Sequence, residues 1–114
     1  MEPDKNLKVY IVINTTLKMG KGKLLSQVGH GIEYMVENLI LNKPDLFQEY
    51  KQRPPKKICV KADDSKIKEL SRKHCDKCCK VIDAGLTQVE PGSLTVLVFY
   101  PTVELPDLKV LKLY

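Results

Sequence analysis

The sequence predicts a small α/β domain: a mixed four-stranded sheet flanked by helices, in the order βα(α)βαββ with a short C-terminal tail. Three observations predict it. Four short apolar runs rich in β-branched residues occur at 7–13, 58–60, 78–82 and 94–99. Segments with helical periodicity separate the first three, and such crossovers require partly parallel pairing. About ten residues join the last two runs, which permits a hairpin. The 114 residues suit one domain spanning 1–114, with a core built from Leu, Ile and Val, since Trp is absent and only two Phe occur.

The first run, Leu7 to Ile13, is nearly continuously apolar toward its end, as in a buried central strand. From about Gly22 the pattern turns helical. Leu24, Val28, Ile32, Met35 and Leu39 repeat along one stripe, and Leu25, Val36 and Ile40 widen it. Lys23, Gln27 and His30, at i, i+4 and i+7, line one edge of that helix. Asn42-Lys43-Pro44 stops it, and residues 45–50 add a turn or two. Arg53-Pro54-Pro55 is a rigid connector into the second strand. Asp63-Asp64-Ser65 begins another helix, on which Ile67, Leu70 and His74 share a face. Cys78 to Ile82 forms the third strand, ending at Asp83-Ala84-Gly85. A loop with Pro91-Gly92 as its turn then leads to Leu94–Phe99, the clearest strand. Pro106 opposes a long helix in the tail.

Chemistry concentrates between the first strand and its helix. Lys18, Lys21 and Lys23 alternate there with Gly20 and Gly22. Glycine permits close backbone approach, and a helix start offers free N–H groups and a positive dipole end, so the run predicts an anion site suited to phosphate. It is not a Walker A loop, because Leu24 follows Lys23 where Ser or Thr is required. If strands one and three are parallel, Lys18 and Asp83 meet at one sheet edge, with Thr95 opening an antiparallel fourth strand there. Lys18, Lys23, Gln27, His30, Asp83, Thr87 and Thr95 then form a candidate hydrolytic site, with Lys18 keeping Asp83 ionised. Taken separately, Asp83 would only cap the turn at Gly85, and His30 would be an ordinary helix histidine.

The balance of 19 basic against 14 acidic residues, a net charge of +5, favours a polyanionic partner. The start shows no secretory signal, and no apolar run reaches membrane-spanning length, so the chain reads as cytoplasmic with reduced thiols. Cys75 and Cys78 have C-x-x-C spacing, but a second ligand pair is missing and the redox motif lacks its helix-start context. Cys78 and Cys79 equally suit a buried strand, where free Cys behaves as a small apolar residue. No metal is expected.

Leu17-Lys18-Met19-Gly20-Lys21-Gly22-Lys23, the Gln27/His30 spacing, and the run from Asp83 to Leu97 together resemble type 2 peptidyl-tRNA hydrolase. The similarity extends from about Leu7 to Phe99. It implies a mixed four-stranded sheet, cleavage of the ester between a peptide and the 3′ end of tRNA, no metal or organic cofactor, and a possible homodimer. It places Lys18, His30, Asp83, Thr87 and Thr95 at catalytic positions. Lys21, Lys23, Gln27 and Gln88 would meet substrate or tRNA. The chain departs from the family pattern at Thr16, where Asp is usual, at Gly29, where Ser is usual, and at Leu86. The alternative function is a tRNA- or protein-binding relative with weakened catalysis.

Overall fold

The computed structural model describes residues 6–85 and 92–114. The elements are β1 (Lys8–Asn14), α1 (Lys21–Asn42), α2 (Pro44–Gln52), β2 (Lys56–Ala62), α3 (Asp64–Lys73), β3 (Cys78–Ile82), β4 (Leu94–Phe99) and the single-turn α4 (Pro106–Lys109). This is the predicted order, with a four-residue helix in the tail. Pro106 sits in its first turn, where a missing N–H costs nothing. β2 is longer than the apolar run 58–60. It pairs in parallel with all of β1, from Lys8↔Lys56 to Asn14↔Ala62, so register draws the flanking lysines into the strand.

The sheet order is β2-β1-β4-β3. β4 runs antiparallel to both β1 and β3. β1 and β3 therefore point the same way, as expected, and their carboxyl ends share one edge with the start of β4.

Two apolar layers cover the sheet, divided by the period-two alternation of its strands. On one side Val9, Ile11, Ile13, Val81, Val96 and Val98 meet Met35 and Leu39 of α1. On the other, Tyr10, Val12, Val60, Leu97 and Phe99 meet Ile67 and Leu70 of α3 and Leu108 of α4. β4 is buried at all six positions, which explains why every residue but Thr95 is apolar.

Two members of the predicted α1 stripe are corrected. Leu25 is 71% exposed and Ile40 49% exposed. The buried line runs through Gln27, Gly31, Met35 and Leu39. At about 100° per residue Leu25 lies roughly 160° around the helix from Gln27. A count of apolar residues misses this line because two of its members are polar or small. Gly31 is needed for close packing: a Cβ there would stand 2.5 Å from Val98 Cγ2 and 3.1 Å from Val81 Cγ2. α1 consequently lies tightly over β3 and β4, and its first turn overhangs their shared edge.

Two attachments fix the tail. Asp107 Oδ2 accepts hydrogen bonds from Lys73 Nζ at 2.7 Å and His74 Nε2 at 3.0 Å, and the His74 ring packs edge-on against Phe99. Beyond α4, the Lys61 N–H donates to Lys112 O and the Tyr114 N–H to Cys59 O, so residues 112–114 lie along the outer edge of β2.

Candidate active site

β1 delivers the chain to the loop 15–20, and α1 begins at Lys21 with no side-chain cap and no acidic residue in its first turn. The positive end of a 22-residue helix thus faces the site without an internal counter-charge. Lys18 and Lys21 are exposed, and among the described residues neither forms an ion pair.

Lys23 differs. Its side chain is only 12% exposed and its ammonium is ion-paired with Asp83 Oδ1. This corrects the expected pairing: Lys23, not Lys18, keeps Asp83 ionised. Lys23 lies on the inner edge of the first turn of α1, and helical side chains slant toward the N-terminus, which carries it over the end of β3. The Gly85 N–H donates to Asp83 Oδ2 at 2.6 Å, while Gly85 adopts a φ of 79° that favours glycine. The Asp83 backbone is held against β4 as well, by Asp83 N–H to Ser93 O and Gly92 N–H to Asp83 O. Asp83 therefore caps its turn and carries the local negative charge. The Lys23 ammonium, aided by the Gly85 N–H, holds its carboxyl below the ordinary carboxylate range despite its burial.

One turn along α1, buried Gln27 donates from Nε2 to Thr95 Oγ1 at 2.9 Å, and Thr95 donates onward to Val81 O at 3.1 Å. Thr95 is fully buried. Its hydroxyl thus accepts from Gln27 and donates to Val81 O, which fixes the Gln27 amide at this edge. His30 is exposed; its Nδ1 stands 4.0 Å from Glu33 Oε1 and its ring stacks with Tyr34. Among the described residues no hydrogen bond joins His30 to Asp83, Gln27 or Thr95. Thr87 and Gln88 lie outside the described residues. The structure thus unites Lys23, Gln27, Asp83 and Thr95, with Lys18 and Lys21 on the loop and helix start before them.

Sequence reasoning missed Asn14, which is 1% exposed at the end of β1. Its amide donates to Leu94 O and Asp64 Oδ1, both at 2.9 Å, and its Oδ1 accepts from the Thr16 N–H at 3.0 Å. Thr16 Oγ1 in turn accepts from the Asp64 N–H at 2.8 Å. The pair locks β1, α3 and the start of β4 together one residue from Thr95. A polar residue closing an otherwise apolar strand was the available signal.

The four cysteines are free. Cys79 belongs to the apolar layer under α1, and burial pushes the Cys78 thiol up to about 12, so it stays protonated at neutral pH. A cavity of about 260 Å³, lined in part by Lys8, Glu49, Arg53 and Lys56, opens at the amino-terminal end of β1, away from this edge.

A family model described as "Peptidyl-tRNA hydrolase PTH2" matches residues 7–109. The chain is 33% identical over 100 residues to the "Probable peptidyl-tRNA hydrolase 2" of Drosophila melanogaster, covering 84% of this chain and 54% of that protein. It is 34% identical over 99 residues to the "Peptidyl-tRNA hydrolase" of Methanocaldococcus jannaschii, covering 83% and 86%. Against the "Peptidyl-tRNA hydrolase 2, mitochondrial" of Mus musculus it is 39% identical over 105 residues, covering 88% and 58%. It thus spans about half the length of the two animal relatives and most of the archaeal one. Among the described residues no helix is long and apolar enough to cross a membrane.

Proposed function

The chain belongs to the PTH2 peptidyl-tRNA hydrolase family, and on that premise we propose that it hydrolyses the ester of peptidyl-tRNA, releasing the peptide acid and the free tRNA 3′ hydroxyl. The carrying observation is Asp83, a buried carboxylate held ionised by Lys23 at the edge that the open Lys18/Lys21 loop faces. Water attacks the ester carbonyl and must lose a proton as the bond forms. Asp83 aligns that water, takes its proton and passes it to the departing tRNA 3′ oxygen as the ester bond breaks. The Lys23 ammonium lies where negative charge grows and balances it. Gln27, fixed by Thr95, presents its amide to the substrate. Lys18 and Lys21 meet tRNA phosphates as point charges at the helix start. Thr87 and Gln88 contribute from the 86–91 loop, and His30 reaches substrate from the exposed edge of α1.

The reaction needs no metal or organic cofactor, so release of N-acetyl-alanine from N-acetyl-alanyl-tRNA in EDTA tests it. Multiple turnover supports the reading. Stoichiometric tRNA binding without release would instead assign a binding relative. We further propose that residues 1–114 form one catalytic unit, that it works in the cytoplasm, where four free thiols remain reduced, and that it pairs as a homodimer through the exposed α1 face around Leu25. Sedimentation of wild type against Leu25→Glu checks the last point. A species of monomer mass in both would refute it.

A further inference from the structure

The two outer edges of the sheet are treated differently. The edge of β2 is closed by residues 112–114. β3 is the last strand at the other side, and among the described residues nothing pairs with its outer edge. An open edge strand is a template for another strand, and proteins ordinarily blunt it with proline, a bulge or a cover. Cys78–Ile82 contains no proline, and its single irregularity falls at Val81/Ile82, beside the site; its five-residue length and exposed Lys80 disfavour pairing with a long strand but leave room for a short peptide.

Register identifies the free groups. The Tyr100 N–H donates to Lys77 O, Thr95 Oγ1 donates to Val81 O, and the Asp83 N–H donates to Ser93 O. Residues 77, 79, 81 and 83 therefore turn their backbone groups toward β4. By the alternation of an antiparallel ladder, Cys78, Lys80 and Ile82 turn theirs outward. The side chains of Lys80 and Ile82 are exposed, whereas Cys79 and Val81 are buried under α1. This free ladder leads straight to Asp83.

We propose that the outer edge of β3 binds the peptide moiety of the substrate as an added parallel strand. The inference rests on the hydrolase reading above. With the esterified carboxyl at Asp83, the peptide runs back toward its amino end alongside Ile82, Lys80 and Cys78, in the same direction as β3. Alternate peptide residues exchange backbone hydrogen bonds with the outward groups of these three. Recognition through backbone groups tolerates every side chain, as an enzyme acting on interrupted translation products requires. Lys80 lies three residues from Asp83, about 10 Å of strand, so only peptides of at least three or four residues reach it.

The test compares N-acetyl-alanyl-tRNA with N-acetyl-tetra-alanyl-tRNA, and with two tetra-alanyl versions N-methylated on one or the other alternate set of amides. The expected result is a kcat/KM about tenfold higher for the tetrapeptide, equivalent to a net gain of one or two hydrogen bonds. Methylation of one set abolishes that gain, and methylation of the other leaves it. Lys80→Pro removes one outward N–H and no ladder donor. It is expected to reduce the tetrapeptide advantage severalfold while leaving N-acetyl-alanyl-tRNA unaffected. Equal rates for both lengths, or equal effects of the two methylation sets, would overturn the proposal. So would an unchanged length effect in folded Lys80→Pro accompanied by a lower sedimenting mass, which would assign the edge to a second copy of the chain. No release from any of the four substrates would count against the hydrolase reading itself.

Discussion

Asp83 and Asp107 are two aspartates with the same kind of partners in different settings. Each accepts from a lysine and from a second N–H donor, Gly85 for one and His74 for the other. Lys23 and Asp83 have side chains 12% and 4% exposed, whereas Lys73 and Asp107 are 58% and 30% exposed. The first pair sits beneath an open basic loop where strand ends converge. The second ties α4 to α3. A charge withdrawn from water and aimed at a converging edge can act on a substrate. A more exposed charge between two helices holds them together, and solvent screens much of its effect.

The largest expected effect comes from neutralising each carboxylate in turn. Asp83→Asn preserves shape and removes charge. Single-turnover hydrolysis per folded molecule should slow by at least about a hundredfold at nearly unchanged tRNA affinity, and the melting temperature should fall because Lys23 loses its buried counter-charge. Asp107→Asn should lower the melting temperature alone, at unchanged turnover per folded molecule. If both variants lose stability alone, the contrast between the two sites disappears.

Breaking the buried pair from the other side comes next. Lys23→Met leaves Asp83 without its ammonium partner and raises its carboxyl pKa. In the wild type, that carboxyl lies below the ordinary range, so activity should persist as pH falls toward 4. In the variant, the acid limb of kcat/KM should move to higher pH and the plateau should drop by at least about tenfold. An unmoved acid limb would remove Lys23 from the mechanism.

How much of this contrast was legible in the sequence follows from what each feature depends on. Strand and helix order was readable because β4 and the inner line of α1 carry periodic apolar residues. The convergence of Lys23 and Asp83 needed only topology. The choice of Lys23 over Lys18 was not readable, because it depends on how closely α1 approaches the sheet. That approach is set by Gly31, whose role is the absence of a side chain. The Asp107 attachment was equally hidden, since a single aspartate after Pro106 has no periodic signature. Asn14 was overlooked because a lone polar residue at a strand end is ordinary until its three partners, distant in sequence, are assembled.

Two smaller effects sharpen the comparison. When folded, Asp107 has its carboxyl lowered to about 2 by Lys73 and His74, against about 3.9 unfolded. A depressed folded pKa contributes stability above the unfolded value, and that contribution is lost as pH falls through the folded one. Denaturant midpoints of wild type and Asp107→Asn should therefore differ at pH 6 and converge between about pH 4 and pH 2. Next, Lys18→Ala and Lys21→Ala should each weaken binding of all tRNAs alike. Each should also flatten the salt dependence by about 0.7–0.9 unit of slope, as expected when one phosphate is no longer neutralised. A change confined to one tRNA would contradict a phosphate-binding role. The smallest effect belongs to Gly29→Ser, whose Cβ would meet nothing within 4 Å. Its melting temperature should rise slightly from better helix propensity, and turnover should stay within a few-fold.

The hydrogen bonds of Asn14 bear on how the chain is made. The 80 residues between Asn14 and Leu94 are synthesised at about 5–20 residues per second, so the carboxyl end of β1 waits roughly 4–16 s for its partner. Gln27 waits similarly for Thr95, across 68 residues. During that interval the nascent chain already carries the lysine loop and the first helix, but it has neither the Asp83 carboxylate nor the strand that fixes Gln27. The lysine loop is thus translated before the carboxylate and the strand that complete the site, so the site closes only after β4 is made.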